Sequence, residues 1–265
     1  MECNLYQVDA FTNRVFSGNP ACVMLLEAWL DDEILLALAQ ENAVAETAYI
    51  IQKGPGLYHL RWFTPDLEMD LCGHATLATA HVVFAHIACH LDEVRFETNS
   101  GTLVVRRGAR GYSMLLPKRH PVPASLPSEF ENAFSIRPVE VHRSRDFLLI
   151  YPSQKEIEQI EINRTVFDQI HLGTGGVIVS SLGENVDFVS RFFTPQATIL
   201  EDPVTGSAHC TSAPFWAERL GKTQLSAQQL SPRGGHLQCE VFPEHVQIEG
   251  EAITYAHSRV LVPLT

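Results

Sequence analysis

The chain's 265 residues are 45% apolar, enough to bury one large core or two modest ones. Its formal charge of −12 argues against nucleic acid or an anionic membrane as partner, since both call for a Lys/Arg-rich face. The opening MECNLYQVDAFT has no basic-then-apolar export signal, and no apolar run reaches about 18 residues, so a cytoplasmic, non-membrane protein with reduced cysteines is expected.

In chain order, a helix is expected from about Asp31 to Asn42, followed by the strand Thr47-Ala48-Tyr49-Ile50-Ile51. Arg61-Trp62-Phe63-Thr64-Pro65 then leads to a helix from about Gly73 to Ala88. That helix is apolar nearly all round and so must be wrapped by protein. FETNSGTLVVRRG and GYSMLLP read as hairpin strands, and the Pro-rich stretch from Pro117 to Pro127 reads as a link. Beyond it come a helix from about Asn163 to Ile170, the strand Gly176-Val177-Ile178-Val179-Ser180, and Arg191-Phe192-Phe193-Thr194-Pro195. A helix from Gly206 and the strand runs LSPRGGHLQCEVF and HVQIEGE follow.

This order is a duplication. Arg61-Trp62-Phe63-Thr64-Pro65 returns as Arg191-Phe192-Phe193-Thr194-Pro195, and each copy is followed by a Gly that opens an apolar helix. Gly101 lies 28 residues after Gly73, and Gly235 lies 29 residues after Gly206. The fold class expected is α+β: two pseudo-symmetric lobes, each a curved, mostly antiparallel sheet around a central helix. The lobes are expected over residues 1–118 and 119–251, with 252–265 able to return to the first.

Three places could carry chemistry. Glu46 sits where a helix hands over to a strand among small and apolar residues. A carboxylate there loses hydration and suits a general base. Asp70-Leu71-Cys72-Gly73-His74 opens the first apolar helix, whose end presents unpaired N–H groups and partial positive charge; Gly73 admits a ligand to the backbone, and His74 can exchange a proton. Cys72 is either a thiolate base or a small buried residue. Glu201-Asp202-Pro203-Val204-Thr205-Gly206-Ser207 is the duplicate. It offers the Thr205 and Ser207 hydroxyls, close approach at Gly206, and an Asp202 held extended by Pro203. Both helix ends are expected to face one shared cleft and to suit a small-molecule carboxylate substrate. No metal-ligand spacing is present, so no metal site is expected.

The duplication also weighs the chemistry. Glu46 lies 19 residues before Pro65, and 19 residues before Pro195 stands Gly176, which has no side chain. One base on one half favours moving a proton between two carbons on the same face over inversion at a single carbon.

The chain resembles the phenazine-biosynthesis PhzF-like isomerase family, which shares the diaminopimelate epimerase fold. The resemblance rests on Val8-Asp9-Ala10-Phe11-Thr12, Gly18-Asn19-Pro20, Ala45-Glu46-Thr47-Ala48, the first RWFTP segment, Cys72-Gly73-His74-Ala75-Thr76 and Glu201 to Ala208. It implies a cofactor-free isomerase, a homodimer, similar to trans-2,3-dihydro-3-hydroxyanthranilate isomerase. In that picture Glu46 is the acid/base. His74, Asp202 and Ser207 hold the amino and carboxylate groups, with Gly73, Thr205 and Gly206 lining the site and Asn19 and Cys72 as further candidates. The alternatives are an amino-acid racemase or epimerase using Cys72 with Asp202 or Glu46, and a non-catalytic member that binds a metabolite.

Overall fold

The computed structural model describes residues 2–108 and 110–262. Two compact units divide the chain. One runs Leu116–Ile248, and the other takes the described residues on either side of it.

In the unit that holds the N-terminus, the strand Glu2–Ala10 lies between antiparallel Asn19–Leu26 and Ala252–Leu261. Asn19–Leu26 runs parallel to Glu46–Gly54, and helix Asp32–Asn42 makes the crossover that a parallel pair requires. Glu46–Gly54 turns back antiparallel into Leu57–Phe63. A second crossover, through helix Gly73–Val82, brings Glu93–Thr98 in parallel, and Gly101–Gly108 completes an antiparallel hairpin.

Helix Gly73–Val82 packs on Glu2–Ala10, Asn19–Leu26, Glu46–Gly54 and Ala252–Leu261. All its residues except His81 are buried. Its two inner threonines are satisfied within the helix, Thr76 and Thr79 donating to the Cys72 and Ala75 carbonyls at 2.6 Å each. The regular helix ends at Val82, short of the expected Ala88, and Val83–Ile87 forms a wider π turn. That widening has a partner: the Nε2 atoms of His81 and His86, five residues apart, reach Thr254 Oγ1 at 2.9 and 2.8 Å.

The other unit repeats the pairing. Phe147–Ile150 runs parallel to Val177–Leu182, which is antiparallel to Phe188–Phe193. That strand is parallel to Gln224–Gln229, and Gly235–Val241 follows antiparallel. Helix Gly206–Leu220 makes the second crossover and packs on Val177–Leu182, Gln224–Gln229 and Gly235–Val241. The first crossover departs from expectation. The helix expected over 163–170 is a single turn, Arg164–Phe167, preceded by a helix Gln154–Gln159 that the sequence reading passed over. Its signal was present: Ser153 and Glu156 form an S-x-x-E pattern, and Glu156 Oε2 accepts the Ser153 N–H at 3.1 Å. Asp168 ends the Arg164 turn by accepting the Gln196 N–H at 2.7 Å. All six cysteines are free, and among the described residues no helix is long and apolar enough to cross a membrane.

Acid should loosen both units through a partly buried and a fully buried histidine. Burial lowers His81 to about 4, with charge on His86 and Arg107 adding to the shift, and burial lowers His209 to about 4 against its bond to the Thr205 carbonyl. The unfolded chain takes up these protons first, so stability is intact above the ordinary value of 6.5 and is lost as pH falls toward 4. Each group is worth roughly 3 kcal/mol when fully protonated. The variant His209→Asn cannot titrate and is expected to fall less steeply in urea-unfolding free energy across that window. A slope equal to the parent's would contradict a buried neutral His209.

Candidate active site

Glu46 reaches its position through a strained helix end. Helix Asp32–Asn42 stops where Ala43 takes φ 50°, its N–H bonding the Ala39 carbonyl. The Asn42 side-chain amide donates to Thr47 Oγ1 at 3.0 Å and ties the helix end to the strand that Glu46 begins. His74 is the second residue of helix Gly73–Val82, which starts after an extended Cys72. Asn19 opens the strand Asn19–Leu26 directly after Gly18, at φ +67°, where a Cβ would lie 2.2 Å from the Ala10 carbonyl oxygen.

These residues meet. His74 Nε2 stands 2.9 Å from Glu46 Oε2, a charge-pair contact set off the hydrogen-bonding direction. Asn19 Nδ2 lies 3.0 Å from His74 Nδ1, and Cys72 Sγ lies 3.6 Å from the same nitrogen. Asn19, His74 and Cys72 are buried, whereas the Glu46 side chain keeps 13% of its surface open. Burial acts against a charged His74, but its contacts with Cys72 and Glu46 outweigh it and raise His74 well above the ordinary imidazole range. Burial also pushes the Cys72 thiol up to about 11, with the Glu46 carboxylate adding to the shift, so Cys72 is uncharged at neutral pH. The ligand atoms of Glu46, Cys72 and His74 lie within 4.8 Å of one another, close enough to consider a metal ion. The thiol and the carboxylate address different nitrogens of one imidazole, however. That arrangement suits proton exchange better than ligation.

In the other unit, Asp202 lies on the two-residue strand Glu201–Asp202, and Thr205 precedes helix Gly206–Leu220. Thr205 Oγ1 donates to Asp202 Oδ2 at 2.5 Å. Gln229, which the sequence reading did not single out, holds this segment. Its Oε1 accepts the Thr205 N–H at 2.8 Å, and its Nε2 donates to the Asp202 carbonyl at 2.7 Å. Arg145 was also missed. It donates to Ser207 Oγ at 3.2 Å while pairing through two nitrogens with the fully buried Asp146. No local motif marks either residue; Gln229 reaches the helix start from the end of strand Gln224–Gln229, and Arg145 from the loop ahead of strand Phe147–Ile150.

The repeated RWFTP and RFFTP segments prove to be structural. Arg61 pairs with Glu68 through two bonds of 2.7 Å, and Arg191 pairs with Glu201 at 2.7 and 2.8 Å. Each guanidinium lies over the Phe two residues on, Phe63 or Phe193. Thr64 and Thr194 then close matching turns through N–H bonds to Leu67 and Leu200, 2.9 Å in both. Thr47 pairs with Phe63 and Val177 with Phe193, so Glu46 and Gly176 hold the same place in the two units. A Cβ on Gly176 would lie 2.3 Å from Phe192 Cζ, and Asp146 Oδ1 accepts the Gly176 N–H at 2.9 Å. The space a second carboxylate would need is filled by an aromatic ring.

Two units of one β-α-β build, each with a buried helix opening at a glycine, place the chain among α+β folds of the diaminopimelate epimerase type. The profile of the phenazine biosynthesis-like proteins, PhzC-PhzF, matches residues 8–258, and the chain belongs to that family. It is 45% identical to one uncharacterized isomerase of Pseudomonas aeruginosa over 96% of this chain and 97% of that one. A second from the same organism is 43% identical over 98% and 99%. The crystal structure of a phenazine biosynthesis protein of the PhzF family from Enterococcus faecalis matches with a TM-score of 0.92 and 41% identity, covering 98% of this chain and all of that one. The closed packing at Gly176 is directly testable. Gly176→Ala is expected to lower urea-unfolding free energy by about 1–3 kcal/mol, whereas an unchanged value would mean Phe192 yields freely.

Proposed function

We propose that this protein is a cofactor-independent isomerase that moves a proton on a small amino- or carboxylate-bearing metabolite, with Glu46 as general acid and base. The observation that carries this reading is the contact between Glu46 Oε2 and buried His74 Nε2 at 2.9 Å, on a frame whose equivalent position is Gly176. Family membership and the isomerases among the relatives support the reaction class.

In the proposed step, a C–H bond of the substrate breaks and its proton passes to a Glu46 oxygen. The electron pair enters the substrate's conjugated system, and Glu46 returns the proton to a second carbon on the same face. The N–H groups at the start of helix Gly73–Val82, with His74, stabilise the negative charge that develops between the two transfers. Asp202, Thr205 and Ser207, with the helix start at Gly206, have the carboxylate, hydroxyl and N–H groups that suit an amine and a carboxylate. Their part in substrate binding, and a homodimer in solution, are carried over from the family resemblance. The racemase alternative asks Cys72 to act as a thiolate, and burial that pushes its thiol up to about 11 works against it.

Mass spectrometry of solvent deuterium uptake, over cyclic and acyclic amino and hydroxy acids, tests the reading. Uptake into at least one compound is expected, falling about 100-fold or more in Glu46→Gln and staying within a few-fold in Cys72→Ala. A fully active Glu46→Gln would remove the proposed base. Loss confined to Cys72→Ala would favour the racemase, and binding without uptake would point to a non-catalytic member.

A further inference from the structure

We propose that Asn19 is a positioning residue that sets which nitrogen of neutral His74 carries the proton. Its catalytic consequence rests on the proposed role of Glu46; the assignment itself does not.

Asn19 is fully buried, and its amide nitrogen lies 3.0 Å from His74 Nδ1. An amide nitrogen only donates, so Nδ1 must offer a lone pair. The single proton of the neutral ring then sits on Nε2, the nitrogen 2.9 Å from Glu46 Oε2. In the opposite tautomer two lone-pair-bearing atoms, Nε2 and a carboxylate oxygen, would face each other in a buried site. The Cys72 thiol, 3.6 Å from Nδ1, can add a second donor on the same side.

The Gly18-Asn19-Pro20 motif explains how Asn19 is held. Gly18 takes a left-handed turn with no room for a Cβ, and Pro20 biases the preceding residue to extended backbone. Asn19 accordingly starts its strand opposite Ala10. The other unit supplies a contrast. Ala21 pairs with Glu46 and Phe147 with Val177, so Ser144 takes the place of Asn19, and Ser207 takes that of His74. The Ser144 hydroxyl bonds Thr211 at 3.0 Å. The amide–imidazole pair thus belongs to the half that carries the carboxylate.

An amide also suits both charge states of the ring. When His74 is protonated, a half-turn of the Asn19 amide presents Oδ1 to the Nδ1 proton. An aspartate could serve only the protonated Nδ1. The titratable groups in contact with His74 among the described residues are Glu46, from its strand, and Cys72, ahead of the helix.

The test is a pH titration by NMR of the full chain labelled with 15N-histidine, with His74 assigned through its loss in His74→Gln. Above its titration, parent His74 is expected to be protonated at Nε2 with Nδ1 bare. Asn19→Asp should move the proton to Nδ1 and raise the titration midpoint by about a unit or more. Asn19→Ser, which places the second unit's residue there, should mix the tautomers. In the deuterium-uptake assay, run above the His74 titration, both variants should lose about tenfold or more in kcat, with KM within a few-fold. Parent His74 protonated at Nδ1 would overturn the proposal, and so would an unchanged tautomer and midpoint in folded Asn19→Asp and Asn19→Ser. If the parent shows the expected tautomer but no uptake from any compound, the isomerase reading fails and the Asn19 assignment stands. If Glu46-dependent uptake is found but Asn19 changes neither tautomer nor rate, the reverse holds.

Discussion

A buried helix cannot use water to satisfy its polar groups, and this constraint organises the unit that carries Glu46. Helix Gly73–Val82 is enclosed by four strands. Its threonines turn their hydroxyls onto the helix's own carbonyls, and its one incompletely buried residue, His81, bonds Tyr112 and Thr254. At the other end, the first-turn N–H groups have no preceding turn of helix to satisfy them. Glu46, Asn19 and Cys72 converge there. The same enclosure that makes the helix a rigid centre makes its first turn the place where charge has most effect, because little solvent remains to screen it.

The duplicated frame and the site use symmetry in opposite ways. The Arg61–Glu68 and Arg191–Glu201 pairs hold each short strand ahead of its helix, with the guanidinium laid over Phe63 or Phe193 in both units. What the frame presents then differs. Glu46 is answered by Gly176, His74 by Ser207 and Asn19 by Ser144, while Phe192 fills the volume over Gly176. Retaining the frame while diversifying those three positions leaves one half with a carboxylate beside an imidazole. A symmetric pair of bases would need room that Phe192 occupies.

The local electrostatics assign unequal parts to the two groups beside His74. Cys72 and Glu46 are both within reach of the ring, yet burial keeps the thiol neutral while Glu46 retains some exposure. A sequence reading cannot separate these cases, since a cysteine before a helix N-terminus is compatible with either a thiolate or a buried thiol. The difference lies in how much protein covers each atom.

Much of this protein was legible in the sequence. The repeat, the two apolar helices, the hairpins and the correspondence of Glu46 with Gly176 all follow from spacing along the chain, because hydrophobic periodicity and glycine placement are local properties. The short helix Gln154–Gln159 was legible too, through its Ser153 and Glu156 cap. Local pattern could not supply the partners. Asn19 lies 55 residues from His74, Arg145 lies 62 from Ser207, and Gln229 lies 24 from Thr205. The Gly18-Asn19-Pro20 motif marks Asn19 but not the ring it meets, whereas nothing near Arg145 or Gln229 announces its partner. The sequence by itself determined a duplicated α+β frame with a carboxylate on one half. Only the tertiary structure decided what faces that carboxylate, because contact between distant segments brings Asn19 and Cys72 to His74 and burial sets how the Cys72 thiol titrates.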